Sequence, residues 1–214
     1  MGDTRVVHEL DHVRWVCGGS GAGKTTVTRR LAERFGLRLY STDAEIGAHA
    51  ARLSDAAAPL LDDFRRMRMD ERWVQRDPLT MFETFPWFHG EGFEFVIEDL
   101  QALATSGVVL AEGFRLLPDL VRPHMTNPQH AVCLIPTPRF RRAAFRQRSP
   151  REAFLLRTSD PQRALANLLE RDRIFTDAVA TDAARNRLTT LVIDGSRSIE
   201  DGADELAARF GLLQ

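Results

Sequence analysis

Lysine is nearly absent from this chain. Of the 29 basic residues, 28 are arginine, and the single lysine is Lys24. This shortage excludes every motif that needs a lysine after residue 24, including the guanine-reading N-K-x-D sequence, and with it a GTPase of that kind. A chain that fills its other basic positions with arginine indicates that position 24 needs an ammonium group in particular.

Cysteine, net charge and long apolar runs are also scarce. The two cysteines, Cys17 and Cys133, lie in apolar runs typical of buried strands, so we expect free thiols in a reducing compartment. The formal net charge is −1, which gives no reason to expect nucleic acid or an anionic membrane as a partner. No apolar run is long enough to span a bilayer, and residues 1–15 contain no secretory apolar core. The sequence therefore predicts a cytoplasmic protein.

Short apolar runs alternate with helical patterns along the chain. The predicted strands are 13–17, 37–41, 108–111, 131–135 and 188–193, and the predicted helices are 24–35, 93–105, 139–148, 161–186 and 199–210. Near-continuous apolar runs are typical of strands that are covered on both faces, as in a parallel sheet. The sequence therefore predicts an α/β fold in three layers, with a five-stranded parallel sheet, helices on both faces and right-handed crossovers.

The single lysine stands in a glycine-rich loop between the first predicted strand and the first predicted helix. Residues 18–25 read GGSGAGKT and fit the phosphate-loop pattern G-x-x-x-x-G-K-[ST]. Glycines let successive backbone N–H groups face phosphate oxygens, and the helix N-terminus adds its positive dipole end. The Lys24 ammonium would lie between the β- and γ-phosphates, and the Thr25 hydroxyl would bind Mg²⁺. The alternative is a plain glycine-rich turn. The residues predicted to bind the nucleotide are Gly19, Ser20, Gly21, Ala22, Gly23, Lys24, Thr25 and Thr26.

The strand endings narrow the class of phosphate-loop protein. A motor-type ATPase usually ends its metal-binding strand in a carboxylate pair, whereas the third strand here ends in LAEG with the single carboxylate Glu112. A phosphate loop, a second strand ending in LYSTD, this third strand and an arginine-rich helix after the fourth resemble the small phosphate-loop kinases. These include nucleoside and nucleotide kinases, shikimate and gluconate kinases and chloramphenicol-type phosphotransferases. The endings Ser41-Thr42-Asp43 and Glu112-Gly113 look most like uridine kinase and its relatives.

The resemblance implies a phosphotransferase that moves the γ-phosphoryl group of Mg-ATP to a small-molecule acceptor, with ATP and Mg²⁺ as cofactors. It implies that Asp43 accepts or orients the proton of the acceptor hydroxyl, the alternative being a helix N-cap. It also implies that Glu112 holds Mg²⁺ through water or binds the acceptor, the alternative being a loop carboxylate paired with Arg115. A nucleotide-dependent switch or a polynucleotide kinase remains an alternative function.

An arginine-rich helix and a turn complete the implied site. In residues 139–151 six of thirteen residues are arginine, and the resemblance implies that Arg142 and Arg146 cap the transferring phosphoryl group. Second candidates are Arg171 and Arg173, and the alternative is a solvated basic helix. Gly195 and Arg197 would support the adenine, the alternative being an ordinary turn in which Ser198 caps the last helix.

One connection, residues 44–92, is far too long for a simple crossover and is rich in arginine and aromatic residues. We call it the insertion. Its rings could stack on an acceptor and its arginines could hold an anion, although most of the rings could equally form a local core. We predict one domain over 1–214, with a core of 12–43, 93–148 and 161–214, the insertion as the acceptor-binding part, and a lid at 149–160. A small-molecule acceptor is the expected partner, and a homodimer is left open.

Overall fold

The structure is a computed structural model that describes residues 10–54, 56–147 and 154–213. Within these residues five strands form one parallel sheet in the order β2-β3-β1-β4-β5. The strands are β1 (Val13–Gly18), β2 (Arg38–Ser41), β3 (Val109–Glu112), β4 (Ala131–Pro136) and β5 (Thr189–Ile193). The helices are α1 (Lys24–Phe35), α2 (Ile46–Arg52), α3 (Pro59–Arg66), α4 (Pro78–Glu83), α5 (Phe93–Ala102), α6 (Pro118–Val121), α7 (Pro138–Gln147), α8 (Pro161–Arg185) and α9 (Ile199–Arg209).

The sheet is buried on both faces, as the continuous apolar runs predict. Along β1, Trp15 and Cys17 belong to the core on the face of the sheet that also holds the buried side of α5. Val16 belongs to the opposite core, with the apolar residues of α1 and α9. The predicted α/β fold with a five-stranded parallel sheet and helices on both faces is therefore confirmed.

The register of the sheet brings the strand endings that matter to one edge. Val16 in β1 lies opposite Glu112 in β3, and Ser41 in β2 also lies opposite Glu112. Because parallel strands end at the same edge, the loops after β1, β2 and β3 meet there. Cys17 lies opposite Cys133 in β4, and both are buried free thiols, as expected. The contact with the neighbouring Cys133 thiol, together with burial, raises the pKa of Cys17.

The sequence patterns place most elements within a few residues of their observed bounds. The largest shortening is in α5, which ends at Ala102 and is followed by a short 3₁₀ turn, Ala104–Ser106, before Gly107 adopts a positive φ of 75°. The four-residue helix α6 was not predicted, because so short an element shows no hydrophobic period. No helix in the described part of the chain combines the length and the apolar character needed to cross a membrane.

The insertion folds into short helices that pack into two apolar cores. It contains α2, α3 and α4, a π-helical turn at Glu71–Gln75 and a 3₁₀ turn at Pro86–Phe88. Trp73 is buried in a core that the insertion shares with α7 and α8. Trp87 is buried in a core whose fully buried members all belong to the insertion, so the alternative of a local core is correct for Trp87. Asn167 in α8 donates its amide protons to the carbonyls of Trp73 and Val74, at 3.1 and 3.2 Å. This contact attaches the π-helical turn to α8.

Part of the predicted lid, residues 149–153, lies outside the described residues. The remainder begins with a 3₁₀ turn, Leu155–Arg157, whose Leu155 is buried in the same core as Trp73. Asp160 then caps α8 by accepting a hydrogen bond from the backbone N–H of Arg163 at 3.0 Å. The division of the chain into core, insertion and lid remains a prediction.

Candidate active site

The glycine-rich loop joins β1 to the first turn of α1. Gly21 and Gly23 have positive φ values of 78° and 79°, a conformation that favours glycine. Residue 24 is then the first residue of α1, so the loop lies at a helix N-terminus. With Asp43 and Phe114 the loop lines a recess of about 40 Å³. The loop residues that line this recess are Ser20, Gly21, Ala22, Gly23, Lys24 and Thr25.

The Lys24 side chain is buried within the loop that it follows. Its ammonium donates to the carbonyls of Gly18 at 3.0 Å and Gly19 at 2.9 Å. A compact ammonium can bond two adjacent carbonyls in this way, whereas the wider guanidinium of arginine would not fit the same position. The positive charge is therefore held against the loop backbone, where the sequence predicts a phosphate.

Glu112, at the end of β3, is completely buried and accepts hydrogen bonds from two hydroxyl groups. Thr25 donates to its two carboxylate oxygens at 3.2 and 3.1 Å, and Ser41 donates to Oε1 at 2.6 Å. Arg115 contacts other groups, so the alternative pairing of Glu112 with Arg115 is wrong. Carboxylate and hydroxyl oxygens are ligands that suit Mg²⁺, which also takes oxygens from phosphates. Glu112 and Thr25 therefore fit the predicted magnesium site.

Asp43, two residues after the end of β2, also lines the recess and is exposed. Helix α2 begins at Ile46 with Glu45 in the N-cap position, so the alternative of Asp43 as a helix N-cap is wrong. The hydroxyl of Thr42 approaches Asp43 Oδ1 at 3.4 Å. An exposed carboxylate facing the phosphate loop can accept a proton from a bound hydroxyl compound. Its catalytic role remains a prediction.

Phe114 was missed by the sequence analysis. It lines the recess opposite the loop and packs edge-on against Phe88, with ring centroids 5.8 Å apart. The preceding residue, Gly113, has a φ of 143° and lies so close to Thr42 that a Cβ at this position would overlap the threonine hydroxyl. The sequence AEGF contained this signal, because a glycine directly after a strand that ends in Glu112 indicates close backbone contact.

A larger groove of about 730 Å³ lies on the other side of the loop. Its lining includes Gly195, Arg197 and Thr26, together with the apolar side chains of Phe140, Val192, Ile199 and Leu206. The structure thus brings the two predicted adenine-side residues next to the phosphate loop. Arg197 forms an ion pair with Glu205 at 3.0 Å, and Ser198 caps α9 in a capping box with Asp201. The predicted cap and the predicted adenine support therefore belong to one turn.

Helix α7 presents its arginines in two directions. Arg139, Arg142 and Arg146 are exposed, and none of them lines the recess or the groove. The contact predicted between the phosphoryl group and Arg142 or Arg146 therefore remains a prediction. Arg141, which the sequence analysis missed, is buried and donates to the Thr176 hydroxyl of α8 at 3.1 Å. Burial lowers the pKa of Arg141.

Of the second pair of candidates, Arg171 is buried and Arg173 is partly exposed. Arg173 forms ion pairs with Glu170 and Asp177 on the same helix, which is typical of a solvated face. Arg171 donates twice to the Asp172 carboxylate, and its guanidinium lies over three rings of the insertion. These rings are Phe85 at 4.5 Å, Phe88 at 5.1 Å and Trp73 at 5.3 Å. Phe88 also contacts Phe114, so aromatic rings connect Arg171 to the wall of the recess.

The sheet topology defines an α/β protein whose glycine-rich loop after β1 fits the phosphate-loop pattern, and comparison with known proteins indicates what the chain is similar to. The chain is 29% identical over 163 residues to shikimate kinase from Tolumonas auensis, covering 74% of this chain and 77% of that protein. This similarity supports a phosphate-loop kinase without identifying a subfamily. No protein-family model matches the chain.

Two solved structures align with most of the chain. An uncharacterized protein from Eubacterium ventriosum aligns with a TM-score of 0.48 at 14% identity, over 94% of this chain and 98% of that one. TT1252 from Thermus thermophilus aligns with a TM-score of 0.49 at 20% identity, over 94% and 97% of the two chains.

Proposed function

We propose that this chain is an ATP-dependent kinase that phosphorylates a hydroxyl group of a small molecule. The observation that carries the proposal is the recess that Lys24, Thr25 and Asp43 line together. A phosphate-binding loop and a free carboxylate in one recess are what transfer from a nucleotide to a hydroxyl acceptor requires. The similarity to shikimate kinase supports the same reaction class.

Each residue has a defined part in this proposal. Mg-ATP supplies the phosphoryl group, and its adenine lies in the groove that contains Gly195 and Arg197. The loop amides and Lys24 would bind the phosphates, and Glu112 and Thr25 would hold Mg²⁺, which would neutralise phosphate charge. The hydroxyl oxygen of the acceptor forms a bond to the γ-phosphorus while Asp43 accepts the hydroxyl proton. The bond between the γ-phosphorus and the oxygen that bridges it to the β-phosphate breaks, and ADP leaves with that oxygen. Arg142 and Arg146 are proposed to reach the phosphoryl group from the exposed face of α7.

The insertion supports an anionic acceptor. Burial, together with the nearby positive charge of Arg171, lowers the pKa of Arg76. Among the described residues the Nε of Arg76 is buried without a hydrogen-bond partner, and its Nη1 contacts the sulfur of Met67 at 3.1 Å. Arg171 is already paired with the Asp172 carboxylate, so the incompletely bonded guanidinium is that of Arg76, and an anion would complete its hydrogen bonding. We therefore propose a hydroxylated acid as the acceptor, and shikimate is one compound of that kind.

The test is a coupled assay of ADP formation with Mg-ATP and a panel of hydroxy acids that includes shikimate, followed by phosphorus NMR of the products. With the wild-type chain, the rate of ADP formation should rise with the concentration of one of the hydroxy acids. Neutral polyols of the same size should give little ADP. Hydrolysis that no acceptor accelerates would instead indicate a nucleotide-dependent switch.

Two variants separate nucleotide binding from transfer. Lys24→Met should weaken Mg-ATP binding in calorimetry and abolish transfer, because the buried ammonium is lost. Asp43→Asn should retain ATP affinity while transfer falls about 100-fold or more, the range of a general base. The matched control is Asp63→Asn, an exposed carboxylate in α3 that lies outside the recess. Equal loss of binding and transfer in Asp43→Asn would contradict the proposed role of Asp43.

A further inference from the structure

Arg115 is a buried cation that does not line the recess and has no part in the proposed binding of nucleotide or in proton transfer. It follows β3 by three residues, and only 2% of its surface is exposed. Its Nη1 lies 2.8 Å from His49 Nδ1, and its Nη2 donates to the carbonyl of Gly92 at 2.9 Å. In the part of the chain that the structure describes, both hydrogen-bond partners of this guanidinium are neutral groups. Such a cation is costly to bury, so its position calls for an explanation.

The hydrogen bonds determine the protonation of His49. A guanidinium has no acceptor atom, so His49 Nδ1 must be the acceptor in the contact with Arg115. The imidazole is then neutral, with its proton on Nε2, which donates to Asp99 Oδ2 at 2.8 Å. The hydroxyl of Tyr40 donates to the same carboxylate oxygen at 2.7 Å. Arg115 is thus oriented by a partly buried chain of hydrogen bonds that reaches Tyr40 in β2 and Asp99 in α5.

The partners of Arg115 lie at the two ends of the insertion. His49 belongs to α2, a few residues after the insertion begins, and Gly92 is the last residue of the insertion. Trp87, five residues before Gly92, lies under the guanidinium with its ring centroid 4.6 Å away. A single side chain of the β3–α6 loop therefore holds together the beginning and the end of a segment of about fifty residues.

Arg115 also lies beside the recess. Burial lowers the pKa of Arg115, and Tyr40 together with the carboxylates of Asp43, Glu94 and Asp99 acts against that lowering. Phe114, the residue before Arg115, lines the recess directly. Displacing Arg115 would therefore move the wall of the recess and remove a positive charge near Asp43.

We propose that Arg115 is a positioning residue for phosphoryl transfer, which fixes both ends of the insertion against the sheet edge and thereby places the acceptor opposite the phosphate loop. His49 is its orienting partner. The role of Arg115 in phosphoryl transfer rests on the proposed function. Its contacts with the two ends of the insertion can be tested without any acceptor.

The first test compares Arg115→Met with Arg14→Met in the full-length chain. Arg14 is a partly buried arginine in β1, at the opposite end of the sheet, that donates to the carbonyl of Asp11. In Arg115→Met, hydrogen–deuterium exchange should become about 10- to 100-fold faster at residues 46–52 and 86–93 and stay unchanged at the phosphate loop. The Kd for Mg-ADP should stay within about threefold, whereas transfer to shikimate, the probe acceptor, should fall about 100-fold. Arg14→Met should leave the exchange of both segments unchanged.

A second pair of variants keeps the proposal testable if Arg115→Met does not fold. His49→Asn keeps an oxygen near the position of Nδ1 and can still accept from Arg115, whereas His49→Gln places its amide toward Asp99 and loses that acceptor. We expect exchange at 86–93 to remain within about threefold of wild type in His49→Asn and to rise about tenfold in His49→Gln.

The outcomes separate this proposal from the proposed function. Equal exchange in the two His49 variants, or unchanged exchange at both ends of the insertion in Arg115→Met, would overturn the positioning role. A wild-type chain that binds Mg-ADP but phosphorylates no acceptor would contradict the proposed kinase, while the exchange measurements would still decide whether Arg115 holds the insertion.

Discussion

The contact between Gly19 and Thr176 gives a prediction whose size follows from distances in the structure. A Cβ added to Gly19 would lie 2.5 Å from the Thr176 hydroxyl, 2.8 Å from its methyl carbon and 3.0 Å from Pro136 Cδ. Gly19 cannot move away freely, because its N–H donates to the Leu134 carbonyl at 3.0 Å and its own carbonyl accepts from Lys24. Its φ lies outside the left-handed region, so the effect of Gly19→Ala is steric.

Gly19→Ala should destabilise the protein by about 1–3 kcal/mol, the usual range for an overpacked site. If the loop shifts to relieve the overlap, the same free energy corresponds to a roughly 5- to 150-fold weaker affinity for Mg-ADP. Urea denaturation measures the first quantity, and calorimetry measures the second. The control is Gly47→Ala in α2, where the new Cβ meets no other atom within 4 Å. That change should leave nucleotide affinity unaltered and raise stability by up to about 1 kcal/mol.

A double-mutant cycle makes the prediction strict. Thr176→Ala removes the two closest atoms that Gly19→Ala would strike and leaves Pro136 Cδ at 3.0 Å. It does so at the expense of the hydrogen bond from Arg141, which contributes about 1 kcal/mol. The double variant should therefore be more stable than the sum of the single variants predicts, by about 1–2 kcal/mol. If the effects simply add within about 0.5 kcal/mol, then Thr176 does not support the loop, and the reasoning is wrong.

Two further predictions concern charge and pH. Glu112→Gln should abolish most of the Mg²⁺ dependence of ADP binding, because a neutral amide replaces the buried carboxylate beside Thr25. Calorimetry with and without magnesium measures this dependence. The control is Glu83→Gln, because Glu83 is an exposed carboxylate. Burial and the hydrogen bond to Asp99 raise the pKa of Tyr40 well above its ordinary value of about 10, so the folded protein keeps a proton that the unfolded chain loses. This contribution to stability is present below about pH 10 and is lost as the pH rises further, by up to about 1.4 kcal/mol per pH unit. Urea denaturation at several alkaline pH values should show a shallower decline in Tyr40→Phe, and an identical decline would contradict the assignment.

The sequence predicts most accurately what depends on neighbours along the chain. The phosphate loop needs specific residues at fixed spacing, so Lys24 and Thr25 are placed correctly from the motif alone. The strand-ending residues Asp43 and Glu112 are also brought to the same edge, because parallel strands end together. These elements could be predicted because local conformation and strand direction determine where they lie.

Contacts that depend on how helices turn toward one another could not be predicted in the same way. Along α7 arginines point both outward and inward, so composition does not distinguish the exposed Arg142 from the buried Arg141. One signal is available: Arg141 lies four residues before the apolar residue Phe145, which is buried, and residues four apart share a helix face. The insertion gave less information, since the π-helical turn is held by the side chain of Asn167, nearly a hundred residues away.

Helix α8 shows why two parts of the site depend on each other. Thr176 on this helix packs against the phosphate loop and accepts from Arg141, while Arg171 and Asn167, one to three turns earlier, contact the insertion. Both groups of contacts lie on one continuous helix, so a displacement of α8 would move the nucleotide side and the acceptor side together. Changes at Thr176 should therefore alter the affinities for nucleotide and acceptor in parallel, whereas changes at Arg115, which contacts no residue of α8 by a hydrogen bond, should alter the acceptor side alone.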